Sequence, residues 1–324
     1  MSASTDIATD TTAGFGAPAP VLSYSPVTLS VPGRPVDLQV RVSVPATGAG
    51  LPVVLLSHGH GGSNNLSSLN GYAPLANLWA AAGFAVVQPT HLSSRTLARQ
   101  LADAPGAPFF WRSRAEDMSR ILDRLDEIEK TVPQLAGRLD HDRIAVAGHS
   151  LGGHTASLLL GARTTDPDTG AEADLREPRI KAGVLLAAPG RGGDVLNGWM
   201  AEKVPFFRAT DFSTMTAPTL VVAGDKDGSP HFTDIGPGWH ADPYHLAPAP
   251  KTLLTLFGAE HLLGGISGYD ADETTDENPE RVAALAHLTS AYLRTQLQSD
   301  PYAWQAACET WTTGTAPAGG VECK

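Results

Sequence analysis

The sequence predicts an α/β protein with a mostly parallel, doubly wound sheet, helices on both faces and an antiparallel lead-in strand. Short continuous apolar runs recur along the chain, as in parallel strands that are covered on both faces. Helical patterns alternate with these runs, which is the order of elements that produces such a sheet. Before the first run, one segment alternates apolar and polar residues, as a half-exposed antiparallel strand does.

The predicted strands follow in chain order. The alternating lead-in segment is 36–44, where all the valines and Leu38 fall on one face. The continuous apolar runs lie at 52–56, 84–88, 143–147, 180–187, 219–223 and 252–257. Their continuous apolar character predicts a parallel sheet that is buried on both sides.

Two segments have the spacing of amphipathic helices. Apolar residues recur on one face of 115–130 and of 280–297. Asn278 and Pro279 can cap and begin the second helix. Two long irregular stretches, 190–216 and 228–250, interrupt the alternation, and loops of such length are usually functional.

Length and composition indicate one domain. The chain has 324 residues, 42% of them hydrophobic, which is enough for a single large core at 21–300. Residues 1–20 are predicted to form a disordered N-terminal tail because they are rich in Ser, Thr, Ala, Pro and Gly. Residues 301–324 are predicted to form a C-terminal tail. The formal net charge of −11 disfavours nucleic acid and membrane surfaces as partners, and the sequence specifies no oligomeric state.

Two features bear on location. The N-terminus lacks the basic start and apolar core of a secretory signal, so we expect a cytoplasmic protein. The only two cysteines, Cys308 and Cys323, lie in the C-terminal segment, where they are either unpaired thiols or a disulfide that closes a loop. A disulfide would favour an oxidising compartment and hence secretion.

Residues 148–152, Gly-His-Ser-Leu-Gly, match the G-x-S-x-G pattern. They follow the apolar run 143–147 and precede a helical pattern, which is the context of a nucleophile on a sharp strand-to-helix turn. Ser150 is therefore the predicted nucleophile, and the helix N-terminus behind it favours developing negative charge. The alternative is a serine that only caps a helix.

Residues 57–62, Ser-His-Gly-His-Gly-Gly, follow the run 52–56. A glycine-rich turn there lets a backbone N–H point at a substrate oxygen, and we assign this role to His60, with Gly61 as the second choice. Leu151, directly after the nucleophile, would supply the other N–H. The competing interpretation is a metal site, because His58 and His60 are spaced H-x-H, but no acidic or cysteine partner lies nearby.

The base and the acid are chosen by position. His261 follows the last predicted strand, in agreement with the chain order serine, acid, histidine. The acid should follow the preceding strand, and we choose Asp227 over Asp225, which is better placed to bind turn N–H groups. His287 falls within a helical pattern. The long loop before the last predicted strand contains three further histidines, which are either pocket residues or plain loop residues: His231, His240 and His245.

Together the segments His-Gly-His-Gly-Gly, Gly-His-Ser-Leu-Gly-Gly, Gly-Asp-Lys-Asp and Gly-Ala-Glu-His resemble the α/β-hydrolase superfamily. The nearest likeness is to the bacterial dienelactone-hydrolase-like and chlorophyllase-like branch, which resembles platelet-activating-factor acetylhydrolases and cutinase-type polyester hydrolases. Trp111-Arg112 leading into Asp117 adds to the likeness, which covers about residues 25–298. The resemblance implies a serine carboxylic-ester hydrolase without metal or organic cofactor. Dienelactone hydrolases proper use a cysteine where this chain has Ser150, which puts dienelactones in doubt as the substrate.

The expected substrate is a small or medium apolar ester. Trp111, Trp239 and Tyr244 are the candidate pocket residues, and the loop 228–250 is expected to control substrate choice. The same triad also serves amidases, peptidases and acyltransferases, and these remain alternatives. A non-catalytic binding protein on the same scaffold is a more remote one, because it would require a broken triad.

Overall fold

The structure is a computed structural model that describes residues 19–268, 271–298, 300–312 and 318–324. The predicted N-terminal tail at 1–20 lies outside the described residues, apart from its last two positions. No helix within the described ranges has both the length and the apolar composition needed to cross a bilayer.

A large sheet forms the centre of the molecule, with strand order β1-β2-β4-β3-β5-β8-β9-β10-β11. Its strands are β1 (Val21–Leu29), β2 (Leu38–Pro45), β3 (Leu51–Ser57), β4 (Ala85–Pro89), β5 (Leu139–His149), β8 (Ile180–Leu186), β9 (Thr219–Gly224), β10 (Lys251–Leu256) and β11 (Gly319–Cys323). A separate hairpin pairs β6 (Arg163–Thr165) with β7 (Glu172–Asp174). Six neighbouring strands of the sheet, β4-β3-β5-β8-β9-β10, are parallel to one another. The strands β1, β2 and β11 are antiparallel to their neighbours.

Helices cover both faces of the sheet. They are α1 (Ala73–Ala81), α2 (Trp111–Leu122), α3 (Leu125–Thr131), α4 (Leu151–Leu159), α5 (Gly198–Lys203), α6 (Asp242–Leu246), α7 (Pro279–Gln298) and α8 (Ala303–Thr312). Apolar residues of α1, α7 and α8 pack on one face, and those of α2, α3 and α4 pack on the other. The predicted fold class, with its antiparallel lead-in, is therefore confirmed.

Each predicted strand is present, within a few residues of its expected ends. The predicted helix at 115–130 is divided, because α2 ends at Leu122 and α3 begins at Leu125. The long irregular stretches contain short helices: α5 and the 3-10 turn 205–207 in the first, and the 3-10 turn 237–241 and α6 in the second. Neither stretch is an unstructured connection.

The C-terminal segment differs from its prediction as a tail. It forms α8, which packs against α7, and then β11, which pairs with β10 along the edge of the sheet. The polar, glycine-containing sequence of β11 concealed this strand, because an edge strand needs backbone partners rather than an apolar pattern. No disulfide joins Cys308 and Cys323, both of which lie in the described part of the chain.

The order of the strands creates a crevice. β3 and β5 are neighbours, but β3 is followed by α1 on one face of the sheet and β5 by α4 on the other. Ligands bind outside the carboxyl ends of parallel strands at such a switch point. The loops after β3, β5, β9 and β10 all start from this edge.

Candidate active site

Ser150 occupies a strained turn between β5 and α4. Its φ of 53° lies in the left-handed region, which a non-glycine residue adopts only where the surroundings enforce it. The flanking glycines have no room for a side chain: a Cβ atom on Gly148 would lie 2.0 Å from the Gly152 carbonyl oxygen, and one on Gly152 would lie 2.1 Å from that of Ser57. The Ser150 N–H donates to the Leu186 carbonyl oxygen at 3.0 Å, which fixes the turn to β8.

The structure brings the three predicted catalytic residues together. His261 Nε2 lies 2.9 Å from Ser150 Oγ, and His261 Nδ1 lies 2.7 Å from Asp227 Oδ2. The histidine ring is partly exposed, whereas Asp227 is buried. Burial would raise the pKa of Asp227, but hydrogen bonds from His240 and His261 outweigh it and hold this pKa well below its ordinary value. The carboxylate is therefore ionised and accepts the His261 Nδ1–H.

Asp225 has a different task. Its Oδ1 accepts the Gly258 N–H at 2.6 Å, and its own N–H donates to the Leu256 carbonyl oxygen at 3.0 Å. These bonds join the loop after β9 to the loop after β10. The structure thus places Asp227, and not Asp225, against the imidazole.

A buried tyrosine links three loops of the site. Tyr72 accepts the Gly59 N–H at 3.0 Å and donates its hydroxyl proton to His149 Nδ1 at 2.8 Å. His149 Nε2–H in turn donates to the His261 carbonyl oxygen at 2.8 Å. Burial lowers the pKa of His149 to about 3, so its ring is neutral and has the tautomer that these bonds require. This series of hydrogen bonds connects the loop after β3 to the strand-to-helix turn that carries Ser150, and to His261.

The loop after β3 rests on a buried arginine. The Arg114 guanidinium donates to the His58 carbonyl oxygen, to Ser93 Oγ at 2.6 Å and to Thr155 Oγ1 at 3.0 Å. Thr155 lies in the first turns of α4, so Arg114 ties this loop to the helix behind the nucleophile. Arg114 is fully buried and comes from α2.

Both predicted oxyanion donors border this crevice. Leu151 is the first residue of α4, where the N–H groups have no partner within the helix. Among the described residues, no protein acceptor is seen for the amide of Leu151 or for that of His60. The His60 ring lies 5.0 Å from that of Phe109, and burial lowers its pKa to about 4, so the ring is neutral. Neither amide is therefore committed to a backbone acceptor among the described residues, and their role as oxyanion donors stays a prediction.

The metal interpretation of His58 is not compatible with its contacts. Its Nδ1–H donates to the Gly59 carbonyl oxygen at 2.7 Å, and its Nε2 accepts the His91 N–H at 3.2 Å. Two other clusters within the described ranges have ligand atoms within 4.8 Å of one another: Asp227, His240 and His261, and the group Asp126, Glu129 and His141. In the first cluster, a cation would have to break the hydrogen bond between Asp227 and His261.

Two of the three predicted pocket residues lie in one cluster, and the third lies elsewhere. Trp111 and Trp239 belong to an aromatic cluster that includes Leu151, and Trp111 stacks on Phe206 at 5.9 Å between ring centroids. Trp239 is buried and donates its indole N–H to the Arg191 carbonyl oxygen at 3.0 Å.

Tyr244 does not lie at the site. The Lys324 ammonium lies over its ring, 5.2 Å from the ring centroid. The backbone of Lys324 is hydrogen-bonded to that of Lys251 at the start of β10. It is therefore at the opposite edge of the sheet from the triad, because α6 leads the chain back to the amino end of the next strand. The prediction that Tyr244 lines the pocket was wrong.

Sequence reasoning missed His240 as a site residue. The ring of His240 is buried, and its Nε2 lies 3.1 Å from Asp227 Oδ2 and 2.9 Å from Ser229 Oγ. No motif identifies it, because the contact depends on the path of the chain after Ser229, which has a positive φ of 40°. The other histidines set aside are not in the triad: His287 lies in α7, and His231 and His245 are exposed.

The fold and the order of serine, acid and histidine on its strand ends define an α/β-hydrolase. No protein-family model matches the chain. Cutinase 1 from Thermobifida cellulosilytica is 27% identical over 155 residues, which cover 48% of this chain and 45% of the relative. The cutinase from Thermobifida fusca (strain YX) is 27% identical over 155 residues, again 48% of this chain and 40% of the relative. The chain thus matches less than half the length of these relatives. It is an α/β-hydrolase related to the cutinase-type polyester hydrolases, as the resemblance implied.

Proposed function

We propose that the protein is a serine carboxylic-ester hydrolase that acts through an acyl-enzyme intermediate. The observation that carries the proposal is the continuous contact from Ser150 Oγ through His261 to the buried carboxylate of Asp227, at 2.9 and 2.7 Å. The names of the two related cutinases support the same class of activity.

The geometry supports the following sequence of steps. Ser150 Oγ attacks the ester carbonyl carbon while His261 Nε2 takes its proton, and the carbonyl electron pair moves to the oxygen. The amides of Leu151 and His60 stabilise this oxyanion. When the pair returns, the C–O bond to the alcohol breaks, and His261 gives its proton to the leaving oxygen. Water then attacks the acyl-enzyme with His261 as the base, which releases the acid and restores Ser150.

The cavity beside the oxyanion loop favours a short acyl group. Its volume is about 140 Å³, and its walls come from the loop 57–62 and the segment 92–110. Complete ligand pockets hold roughly 300 Å³ or more, so under this proposal the cavity would take only one small part of the ester. The lining is mixed: Leu92, Leu101 and Phe110 are apolar, whereas His60, Ser93 and Arg95 are polar, and neither Ser150 nor His261 belongs to it. We therefore propose a small or medium apolar ester as the substrate.

The test uses a panel of p-nitrophenyl esters with Ser150→Ala and the matched variant Ser213→Ala, which changes an exposed serine. Ser150→Ala should lower kcat/KM by roughly four powers of ten or more, because the nucleophile is lost while the fold remains. Ser213→Ala should retain full activity. A fluorophosphonate probe should add to the wild-type chain once and to Ser150→Ala not at all.

Matched anilides distinguish ester from amide cleavage. We expect the esters to be cleaved and the anilides to be left intact, and mass spectrometry under rapid quench should detect Ser150 carrying the acyl group. Near-normal ester turnover by purified Ser150→Ala protein would refute the proposal. Faster cleavage of anilides than of esters would replace it by an amidase.

A further inference from the structure

His240 is held against the triad acid by contacts that fix its protonation. It lies on the 3-10 turn 237–241, and its side chain is buried. Its Nδ1 lies 2.9 Å from the Ala188 carbonyl oxygen. A carbonyl oxygen only accepts hydrogen bonds, so Nδ1 must carry a proton.

Ser229 cannot donate a hydrogen bond to the other ring nitrogen of His240, Nε2. Its hydroxyl donates to Asp227 Oδ1 at 2.7 Å, since an ionised carboxylate cannot donate. The single hydroxyl proton is thereby used, and a lone pair of Ser229 Oγ faces His240 Nε2 at 2.9 Å. Nε2 also lies 3.1 Å from Asp227 Oδ2. An unprotonated Nε2 would oppose its own lone pair to two acceptor oxygens, whereas a protonated one satisfies both.

We propose that His240 is a resident imidazolium that neutralises Asp227 and, as a positioning residue, keeps His261 neutral to lower pH. The consequence for catalysis rests on the function proposed above. Asp227 is 2% exposed, and a buried carboxylate needs a compensating charge. With His261 neutral between turnovers, His240 is the cation that meets this need.

Both histidines use the same carboxylate oxygen. His261 Nδ1 and His240 Nε2 both contact Asp227 Oδ2, and their ring centroids are 5.6 Å apart. Protonating His261 therefore places a second positive charge beside the first, which disfavours the charged form.

The other groups that face His240 are few. Asp242 follows it on α6 and interacts with it electrostatically, as does the buried His149 behind the triad. The rings of Trp239 and His240 are in an edge-to-face arrangement, with their centroids 5.2 Å apart. Burial raises the pKa of Asp242, whereas the Arg191 N–H, which it accepts at 2.9 Å, and the charge of His240 act in the opposite direction.

The first test needs no variant and no substrate. The measurement is nuclear magnetic resonance of protein labelled with ¹⁵N-histidine. Both ring nitrogens of His240 should be protonated between about pH 6 and pH 8, whereas an ordinary histidine loses one proton at about 6.5. The signal is assigned by its contact with the Trp239 indole. One unprotonated nitrogen at about pH 7 would overturn the proposal.

The second test measures pH profiles of kcat/KM for wild type, His240→Gln and the matched variant His245→Gln, whose exposed side chain lies on the following helix α6. Glutamine can keep a hydrogen bond to Asp227 but has no charge, so the acid limb should move to higher pH by about one unit. His245→Gln should leave the limb in place. An unchanged limb in active His240→Gln protein would refute the effect on His261.

The two proposals can fail separately. If wild-type protein cleaves no ester, the proposed function fails, while the nuclear magnetic resonance result still decides the charge of His240. If esters are cleaved but His240 is neutral, only the present inference falls.

Discussion

His154→Phe should stabilise the protein, and more so in mild acid. His154 lies one turn beyond Ser150 in α4 and is 1% exposed. Its ring contacts those of Phe206 and Phe207 at 5.4 and 4.8 Å. Among the described residues, neither of its ring nitrogens has a hydrogen-bond partner. Burial, with a smaller contribution from the Arg114 charge, lowers its pKa to about 3.

The expected magnitude has two parts. An unsatisfied buried polar group costs about 1–3 kcal/mol, which a phenyl ring among aromatic neighbours would remove at any pH. The second part depends on pH. Between about pH 3 and pH 6.5, His154 is protonated in the unfolded chain but not in the folded protein, so acid favours unfolding. This linkage costs about 1.4 kcal/mol at about pH 5.5 and almost nothing at about pH 7.5.

Urea unfolding of wild type and His154→Phe at these two pH values measures both parts. The gain in the free energy of unfolding should be larger by about 1.4 kcal/mol at the lower pH. If the larger ring is overpacked, the gain shrinks equally at both pH values and the difference remains. His245→Gln, which removes an exposed histidine, should show a much smaller difference. An equal change in His154→Phe stability at both pH values would show that His154 is not held neutral.

Three further outcomes are expected. Asp227→Asn should lower kcat/KM by roughly 10⁴-fold and Asp225→Asn by less than about tenfold, because only the first fixes the tautomer of the triad histidine; the reverse ranking would exchange their roles. Tyr72→Phe should lower the free energy of unfolding by about 2–4 kcal/mol in urea titrations, since it leaves two buried groups without partners. The exposed Tyr302→Phe should leave that free energy unchanged, and equal values for both would refute the linking role. Trp239→Ala should change the ratio of kcat/KM between short-chain and aromatic esters by about tenfold, and a uniform change would place its ring outside substrate contact.

The sequence was most informative where packing constrains it from both sides. Strands such as β3 and β9 are buried on both faces, so their continuous apolar runs were predicted within a few residues. The elbow at 148–152 was predictable because its glycines have no sterically allowed substitute. Motif order then led to Ser150, Asp227 and His261, which the structure brings into contact.

Several features gave little signal in the sequence. β11 is an edge strand of polar and small residues, and its partner β10 lies more than sixty positions earlier in the chain. Tyr244 had the composition of a pocket residue, but α6 carries it to the far edge of the sheet. Hydrogen bonds such as those of Tyr72 join segments that are distant in sequence.

By itself, the sequence determined the class of fold and singled out Ser150, Asp227 and His261 as a candidate triad, because these inferences depend on local periodicity and on turns that only certain residues can form. Only the tertiary structure decided which second histidine reaches Asp227, which loop residues border the crevice, and how the buried network is protonated. Those properties depend on distances between separate strand ends, and on the charges and acceptors that meet where water is excluded.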